Sequence, residues 1–225
     1  MKKIKAICLL SGGLDSATVL YWALRNRFDV VAFTLNYGQL HKKEIAFAKR
    51  LSTDLGIQHE IVRISMPWKG SALTDRTMPL PIKRSFKQMA KNIPTTYVPA
   101  RNTIFLSFAA SFAEAVGANT ILIGANAIDY SGYPDCRPRY LNAMCRALQL
   151  GTKAGIEGHK INILAPLLRM SKKQIIRLGI KLKVPYEKTW SCYQGANLPC
   201  GKCDSCQLRA NGFSQAGFQD PLLRL

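Results

Sequence analysis

The sequence predicts an α/β protein with a doubly wound, mostly parallel sheet and a C-terminal appendage of loop and helix. Three observations carry this. Short apolar and β-branched runs alternate with stretches of helical period, the pattern of repeated βαβ units. The first run passes straight into a Ser-Gly-Gly turn that opens a helix, and Cys192, Cys200, Cys203 and Cys206 cluster near the end. We divide the chain into residues 1–185, the α/β domain, and residues 186–225, the cysteine-bearing tail.

Ala6-Ile7-Cys8-Leu9-Leu10 reads as a buried strand, with Cys8 as core packing, and Ala17-Thr18-Val19-Leu20-Tyr21-Trp22-Ala23-Leu24 as the helix that follows. Between them lies Ser11-Gly12-Gly13-Leu14-Asp15-Ser16. Glycine lets the backbone approach a ligand closely. The opening turn of a helix offers unpaired N–H groups and a partial positive charge to an anion. Ser11 and Ser16 add hydroxyls, and Asp15 suits both the dipole and a Mg²⁺ shared with phosphates. The string Ser-Gly-Gly-x-Asp-Ser resembles the pyrophosphate loop of the ATP-pyrophosphatases, whereas GxxxxGKS/T and GxGxxG are both absent. The candidate nucleotide-binding residues are therefore Leu10, Ser11, Gly12, Gly13, Leu14, Asp15, Ser16, Ala17, Thr18, Val19 and Leu20.

Asp29–Asn36 is a second buried strand. The polar loop Tyr37-Gly38-Gln39-Leu40-His41 follows, then a helix with Ile45, Ala48, Leu51 and Leu55 on one face, ended by Gly56. His59–Ile64 is the third strand. Residues 65–98 carry four prolines and several basic side chains without a sustained period, which predicts a loop or lid. Arg101 and Asn102 stand at the start of an apolar helix, at the sheet edge where ligands gather in open α/β folds. An Arg there suits a phosphate or carboxylate.

Thr120–Gly124 is the next strand, and Gly124 at its end joins the nucleotide-binding set with Arg101. The loop beyond it concentrates Asp129, Ser131, Gly132, Tyr133, Asp135, Cys136 and Arg137. Aromatic faces, carboxylates and an Arg in one loop are what a planar, hydrogen-bonding heterocycle needs. A helix near 139–150, a strand at Ile161–Leu164 and a capping box at Ser171-Lys172-Lys173-Gln174 complete the domain. In the tail, four thiolates at short spacing fit a closed structural zinc site, with an iron–sulfur cluster as the rival.

The 225 residues, 48% hydrophobic and 20% charged, contain no run long enough to span a bilayer. No leader is evident, so a cytoplasmic enzyme is expected and its cysteines read as thiols or metal ligands. Thirty-two Lys and Arg against thirteen Asp and Glu give a formal charge of +19, so anions are the expected partners. RNA, anionic substrates and mere compositional habit all fit that charge.

Taken in order, the motifs resemble one family, the 7-cyano-7-deazaguanine synthases. The matching strings are Ser11–Ser16, Tyr37-Gly38-Gln39, Val98–Thr103, Ser131–Arg137, Trp190–Tyr193, and Cys200–Cys206 with Leu208-Arg209. One departure is Leu40, where the family commonly carries Arg. The resemblance implies an adenine nucleotide alpha hydrolase-like, Rossmann-like fold. It also implies a ligase that turns 7-carboxy-7-deazaguanine, ammonia and ATP into the nitrile, with Mg²⁺, one structural Zn²⁺ per chain and a homodimer. Asp15, Ser16, Arg101, Asp135 and Arg137 become the catalytic candidates. Tyr37, Gln39, Asn102, Asp129, Ser131, Gly132, Tyr133, Asp135, Cys136 and Arg137 become the substrate candidates, and Cys192, Cys200, Cys203 and Cys206 the metal ligands. No glutaminase domain is evident, which points to free ammonia. Nucleic-acid binding is not required, and the membrane is not a partner. The competing readings are an ATP-pyrophosphatase that adenylates a tRNA base and a nonenzymatic zinc module on nucleic acid.

Overall fold

Alternating side chains along the first strand decide the architecture. The computed structural model describes residues 3–128 and 133–224. Strand β1 (Lys5–Leu9) leads into helix α1 (Leu14–Arg25), and β2 (Asp29–Asn36), α2 (Lys43–Asp54) and β3 (His59–Arg63) follow. Then come α3 (Phe86–Lys91), α4 (Arg101–Ala115), β4 (Thr120–Leu122), α5 (Pro138–Gly151), α6 (Lys153–Ile156) and β5 (Asn162–Leu164). Helices α7 (Lys172–Lys181) and α8 (Asp204–Ala216) complete the set, with short 3-10 turns at Pro134–Cys136, Tyr186–Lys188 and Pro221–Arg224.

The five strands lie in the order β3-β2-β1-β4-β5, and every pairing in the sheet is parallel. Ala6, Cys8 and Leu10 join one core layer with Ala17, Leu20, Leu51, Ile175 and Phe213, from α1, α2, α7 and α8. Ile7 and Leu9 face the opposite layer, against Leu106, Ala110 and Ala113 of α4 and Leu141 of α5. Successive strand residues point to opposite faces, and both faces here are apolar, so helices must cover both. The doubly wound expectation is met, and Cys8 is core, fully buried.

The switch from β2-β1 to β1-β4 opens a crevice at the carboxyl ends of the strands, the place where such sheets bind ligands. The connection from β3 to α4 contributes Leu73 to its lining. Residues 65–98, expected as a loop or lid, contain α3, opened by a capping box between Ser85 and Gln88. Six residues are too few for a helical period to show in sequence. The segment is fastened along its length. Leu40 N donates to Leu73 O at 3.0 Å, Ala72 N to Thr95 O at 2.8 Å, and Lys83 N to Lys202 O at 2.8 Å. Met66, Leu73 and Val98 bury themselves with Tyr37 in a cluster of their own.

Candidate active site

The turn between β1 and α1 is preorganised by its own hydroxyls. Ser11 N donates to Ser16 Oγ at 3.2 Å, the two hydroxyls lie 3.0 Å apart, and Ser16 Oγ donates to Gly13 O at 3.1 Å. Gly13 is the N-cap of α1 and no side chain caps the helix, so the first-turn amides face outward for an anion. Gly12 has φ +84, and a Cβ on it would stand 2.1 Å from Glu44 O and 2.7 Å from Ala48 N. Only glycine lets α2 sit this close. At Gly124 a Cβ would come within 3.1 Å of Ser16 N, so the end of β4 passes directly against the loop.

A cleft of about 300 Å³ starts at this loop. Asp15, in the first turn of α1, accepts from Lys172 Nζ through both carboxylate oxygens at 2.8 Å. Ser171 caps α7 through its capping box with Gln174, which sets the first turn of α7 and hence Lys172 opposite the loop. The loop therefore carries both an anion-binding backbone and a partly buried cation, its Lys172 side chain 15% exposed.

The far end of the cleft is aromatic. Tyr37, Phe105, Tyr133 and Tyr193 line it with Leu73 from the crossover. Arg101 Nη1 donates to Tyr37 Oη at 3.3 Å. Burial works against the charge of Arg101, but Tyr37, Tyr133 and Asp135 hold its pKa above the ordinary value. Burial raises the Tyr37 and Tyr133 phenols, with Arg101 pulling the other way. Tyr133 also bonds Thr96 at 2.8 Å. Asn102 is locked from two sides: its N donates to Asp135 Oδ2 at 3.1 Å, and its Nδ2 contacts Asp135 O and Cys136 Sγ. Burial pushes the Cys136 thiol up to about 11, so it is a neutral wall of the site.

Thus the structure brings Leu10, Ser11, Gly13, Leu14, Asp15, Ser16, Tyr37, Gln39, Arg101, Asn102, Gly124, Tyr133 and Cys136 to one cleft. Others it places elsewhere. Ala17, Thr18, Val19 and Leu20 are buried in α1 beneath the loop, where a helix on a sheet turns its apolar stripe inward. Thr18 instead bonds Tyr186 Oη at 2.9 Å. Gly12 is held between α2 and the tail, its carbonyl accepting from Trp190 N at 2.9 Å. Asp135 is buried behind the wall as the partner of the Asn102 amide, a positioning contact rather than one with the cleft. Arg137 is exposed at the N-cap of α5, away from the cleft. Asp129, Ser131 and Gly132 lie outside the described residues.

The cleft also contains residues that sequence reasoning did not select. Lys172 was visible only as part of a capping box. Glu44 lies five residues after Gln39, in the first turn of α2, and Asn126, Ser191, Tyr193 and Arg209 come from the strand end and the tail. The Trp190–Tyr193 and Leu208-Arg209 strings were the available signal for the last three. Arg209, 5% exposed, is fixed by Asp220 through Nε at 2.6 Å and Nη2 at 2.8 Å.

Behind Trp190 the Sγ atoms of Cys192, Cys200, Cys203 and Cys206 all lie within 4.8 Å of one another. Four sulfurs around one tetrahedral zinc sit about 3.8 Å apart, so the set fits such an ion. Backbone amides point at the sulfurs: Cys200 N and Gln194 N at Cys192 Sγ, Lys202 N and Cys203 N at Cys200 Sγ, at 3.3–3.4 Å. Amide donors stabilise thiolates rather than thiols. Hydrogen bonds from the Cys203 and Cys206 thiols lower the Cys192 pKa and raise their own, as expected when one thiolate forms first in a crowded set. A dication removes that conflict.

Comparison with known proteins agrees with this arrangement. Residues 5–217 match the model of a family described as "Queuosine biosynthesis protein QueC". A 7-cyano-7-deazaguanine synthase from Trichodesmium erythraeum is 53% identical over 222 residues, 98% of this chain and 100% of the relative. One of the same name from Thermoplasma volcanium is 55% identical over 219 residues, 97% of this chain and 90% of the relative. Among solved structures, an NMN synthetase from Francisella tularensis shares the fold with a TM-score of 0.51 at 16% identity, over 96% of this chain and 78% of the other. With the phosphate loop, the aromatic cleft and the four thiols all inside the matched span, the chain belongs to the QueC family of queuosine biosynthesis proteins.

Proposed function

We propose that the cleft converts 7-carboxy-7-deazaguanine, ammonia and ATP into 7-cyano-7-deazaguanine, the nitrile precursor of queuosine. The observation that carries this reading is a single cleft with a pyrophosphate loop at one end and an aromatic pocket with an Arg at the other. A carboxylate is a poor acyl donor because oxide does not leave. Attack of its oxygen on the α-phosphorus of ATP expels pyrophosphate and makes an acyl adenylate, which ammonia converts to the amide with release of AMP. Repeating the activation on the amide oxygen with a second ATP lets AMP leave again, and loss of the two amide protons gives the nitrile.

In this reading Ser11, Gly13, Ser16 and the first-turn amides of α1 receive the pyrophosphate, and Lys172 turns from Asp15 onto a phosphate oxygen. Asp15 is the hard oxygen donor that would hold Mg²⁺, which supplies charge neutralisation at the phosphates. Arg101 faces the reacting carboxylate. Tyr37, Gln39, Asn102 and Tyr133 hold the planar base, and most of the rate comes from positioning and charge complementarity without a protein nucleophile. The four cysteines would hold Zn²⁺ as a structural ion. The reading includes a homodimer and a cytoplasmic location. Among the described residues no helix is long and apolar enough to cross a membrane. The substrates are free small molecules, so the +19 charge requires no nucleic-acid partner.

The test is direct. Purified protein given the carboxylated base, ammonium, ATP and Mg²⁺ is expected to yield the nitrile by mass spectrometry, with two AMP per nitrile. Asp15→Ala is expected to abolish AMP release while circular dichroism stays unchanged, and retained turnover removes Asp15 from the mechanism. AMP release that depends on added tRNA, with no nitrile, supports adenylation of a tRNA base instead.

A further inference from the structure

One acid lines the cleft without a part in this chemistry. Glu44 sits in the first turn of α2, where its backbone packs on Gly12 of the phosphate loop. Its side chain is 20% exposed, and the cleft is the space it faces. Gln39 is fixed by accepting from Tyr37 N at 3.0 Å, which turns its Nε2 to Glu44 Oε1 at 3.5 Å. The second carboxylate oxygen lies 3.9 Å from His41 Nε2. No Lys or Arg among the described residues forms an ion pair with it; Lys43, its neighbour, lies over the Trp190 ring at 4.1 Å instead. A half-buried carboxylate beside the phosphate loop, with an aromatic ring nearby and no direct ion-pair partner among Lys and Arg of the described residues, suits a small cation that arrives with the reaction.

Resting on the nitrile-forming reading, we propose that Glu44 binds ammonium at the cleft wall and removes its extra proton, so that ammonia is generated beside the adenylated carbonyl. Ammonium has no lone pair to attack with. Transfer of one proton to the Glu44 carboxylate gives ammonia and a neutral carboxyl. The nitrogen pair then forms the C–N bond, and the tetrahedral adduct loses AMP and one proton to solvent. Glu44 returns its own proton to solvent before the next turn.

The surroundings match the task. Burial pushes the Glu44 carboxyl up to about 7, with Arg101 and Gln39 pulling it down, which places a proton acceptor near neutral pH. The groups that face it are His41 from the preceding loop, Tyr37 from the end of β2, and Arg101 from α4. Burial lowers the His41 pKa. Gly12 offers backbone alone. A carboxylate in an aromatic cleft also fits the amine edge of a guanine-like base, and the two roles separate kinetically.

The experiment uses the full chain as Glu44→Gln, with Glu44→Asp as the conservative variant. Exchange of labelled pyrophosphate into ATP, driven by the carboxylated base without ammonium, reports folding and adenylation and is expected to stay within about twofold of wild type. The kcat/KM for ammonium is expected to fall by about 10²-fold, the scale of one proton-transfer group, and to recover partly in Glu44→Asp. Hydroxylamine, uncharged at neutral pH, is expected to give hydroxamate at similar rates in both proteins. In wild type the ammonium-dependent rate should fall, relative to the hydroxylamine rate, as pH drops through about 7, and Glu44→Gln should lose that limb. Loss of exchange, a raised KM for the base with ammonium unaffected, or equal losses with both nucleophiles would overturn the proposal. A wild-type enzyme that forms no nitrile overturns the underlying reading instead, and this proposal with it.

Discussion

The phosphate loop and the cysteine tail meet at one hydrogen bond, Trp190 N to Gly12 O at 2.9 Å, yet they are stabilised in opposite ways. The loop is held by backbone and by its own hydroxyls, with the sheet behind it and α2 pressed against Gly12. The tail has little apolar surface of its own near the thiols, where Trp190 and Leu222 are its main buried apolar side chains. It relies on sulfur and on ion pairs: Arg84 to Asp204 and Lys188 to Asp54 reach back to the body, and Arg209 to Asp220 ties the tail to itself. The loop is therefore held by backbone and packing, whereas the tail adds charge and a four-thiol cluster to the packing of Tyr186, Phe213 and Ala216 on the main core. The two should fail under different insults.

The largest effect is expected from removing the metal that the four thiols would hold. Structural zinc contributes about 10–16 kcal/mol of apparent binding free energy in small domains, and much of that is folding free energy. Chelation, or Cys203→Ser, is expected to lower the melting temperature by at least about 10 °C. Proteolysis should cut first after residue 186 while the β1–α1 body persists. An unchanged melting curve after complete metal removal breaks the contrast, because the tail would then stand by packing alone. Metal analysis giving iron in place of zinc would replace the ion but leave the contrast standing.

The loop is broken by a methyl group. Gly12→Ala must place a Cβ 2.1 Å from Glu44 O at φ +84, so both strain and overpacking act. The expected cost is about 2–5 kcal/mol by urea unfolding, with AMP release lost in the surviving fold. Metal content should remain at one ion per chain, since the thiols are untouched. Coupled loss of metal and loop would show that Trp190 transmits strain between them.

How much of this was legible in the sequence follows the same division. The loop is a contiguous string whose conformation is local, so Ser11–Ser16 could be read directly, as could the capping box at Ser171 and Gln174. The cysteines were legible because ligand spacing is itself a short-range pattern. Lys172 and Glu44 were not, because each reaches the loop only through a packing that brings α7 and α2 to it. Ala17 to Leu20, read as nucleotide contacts, lie past the point where the helix turns inward. Asp135 and Arg137 were read from composition alone, and in the fold one accepts from the Asn102 amide while the other stands exposed at the N-cap position of α5. Helix α3 was hidden by its brevity.

A middle-sized effect tests whether the crossover belongs to the body or to the tail. Arg84 Nε donates to Asp204 at 3.1 Å, and the Asp204 side chain has no exposed surface. Arg84→Leu keeps the stem and removes the charge partner of a buried carboxylate, at an expected cost of about 1–3 kcal/mol. The same change should raise protease sensitivity in both 65–98 and 192–206, because Ile82 pairs with Cys203 across the same seam. Cleavage confined to one of the two would assign the crossover to that side.

The smallest effect is at the outer edge of the junction. Lys188 Nζ donates to Asp54 Oδ2 at 2.6 Å, joining the end of α2 to the turn that begins the tail. That hydrogen bond holds the Asp54 carboxyl below its usual range. A depressed folded-state pKa means stability that is present above the unfolded value of about 3.9 and is lost as pH falls through the folded one. Asp54→Asn should therefore lower the melting temperature slightly at pH 7, more at low ionic strength than at high, since exposed pairs are screened. Below pH 4 the difference between the two proteins should shrink toward zero. A difference that persists at low pH would mean that Asp54 acts through helix α2 itself rather than by tethering the tail.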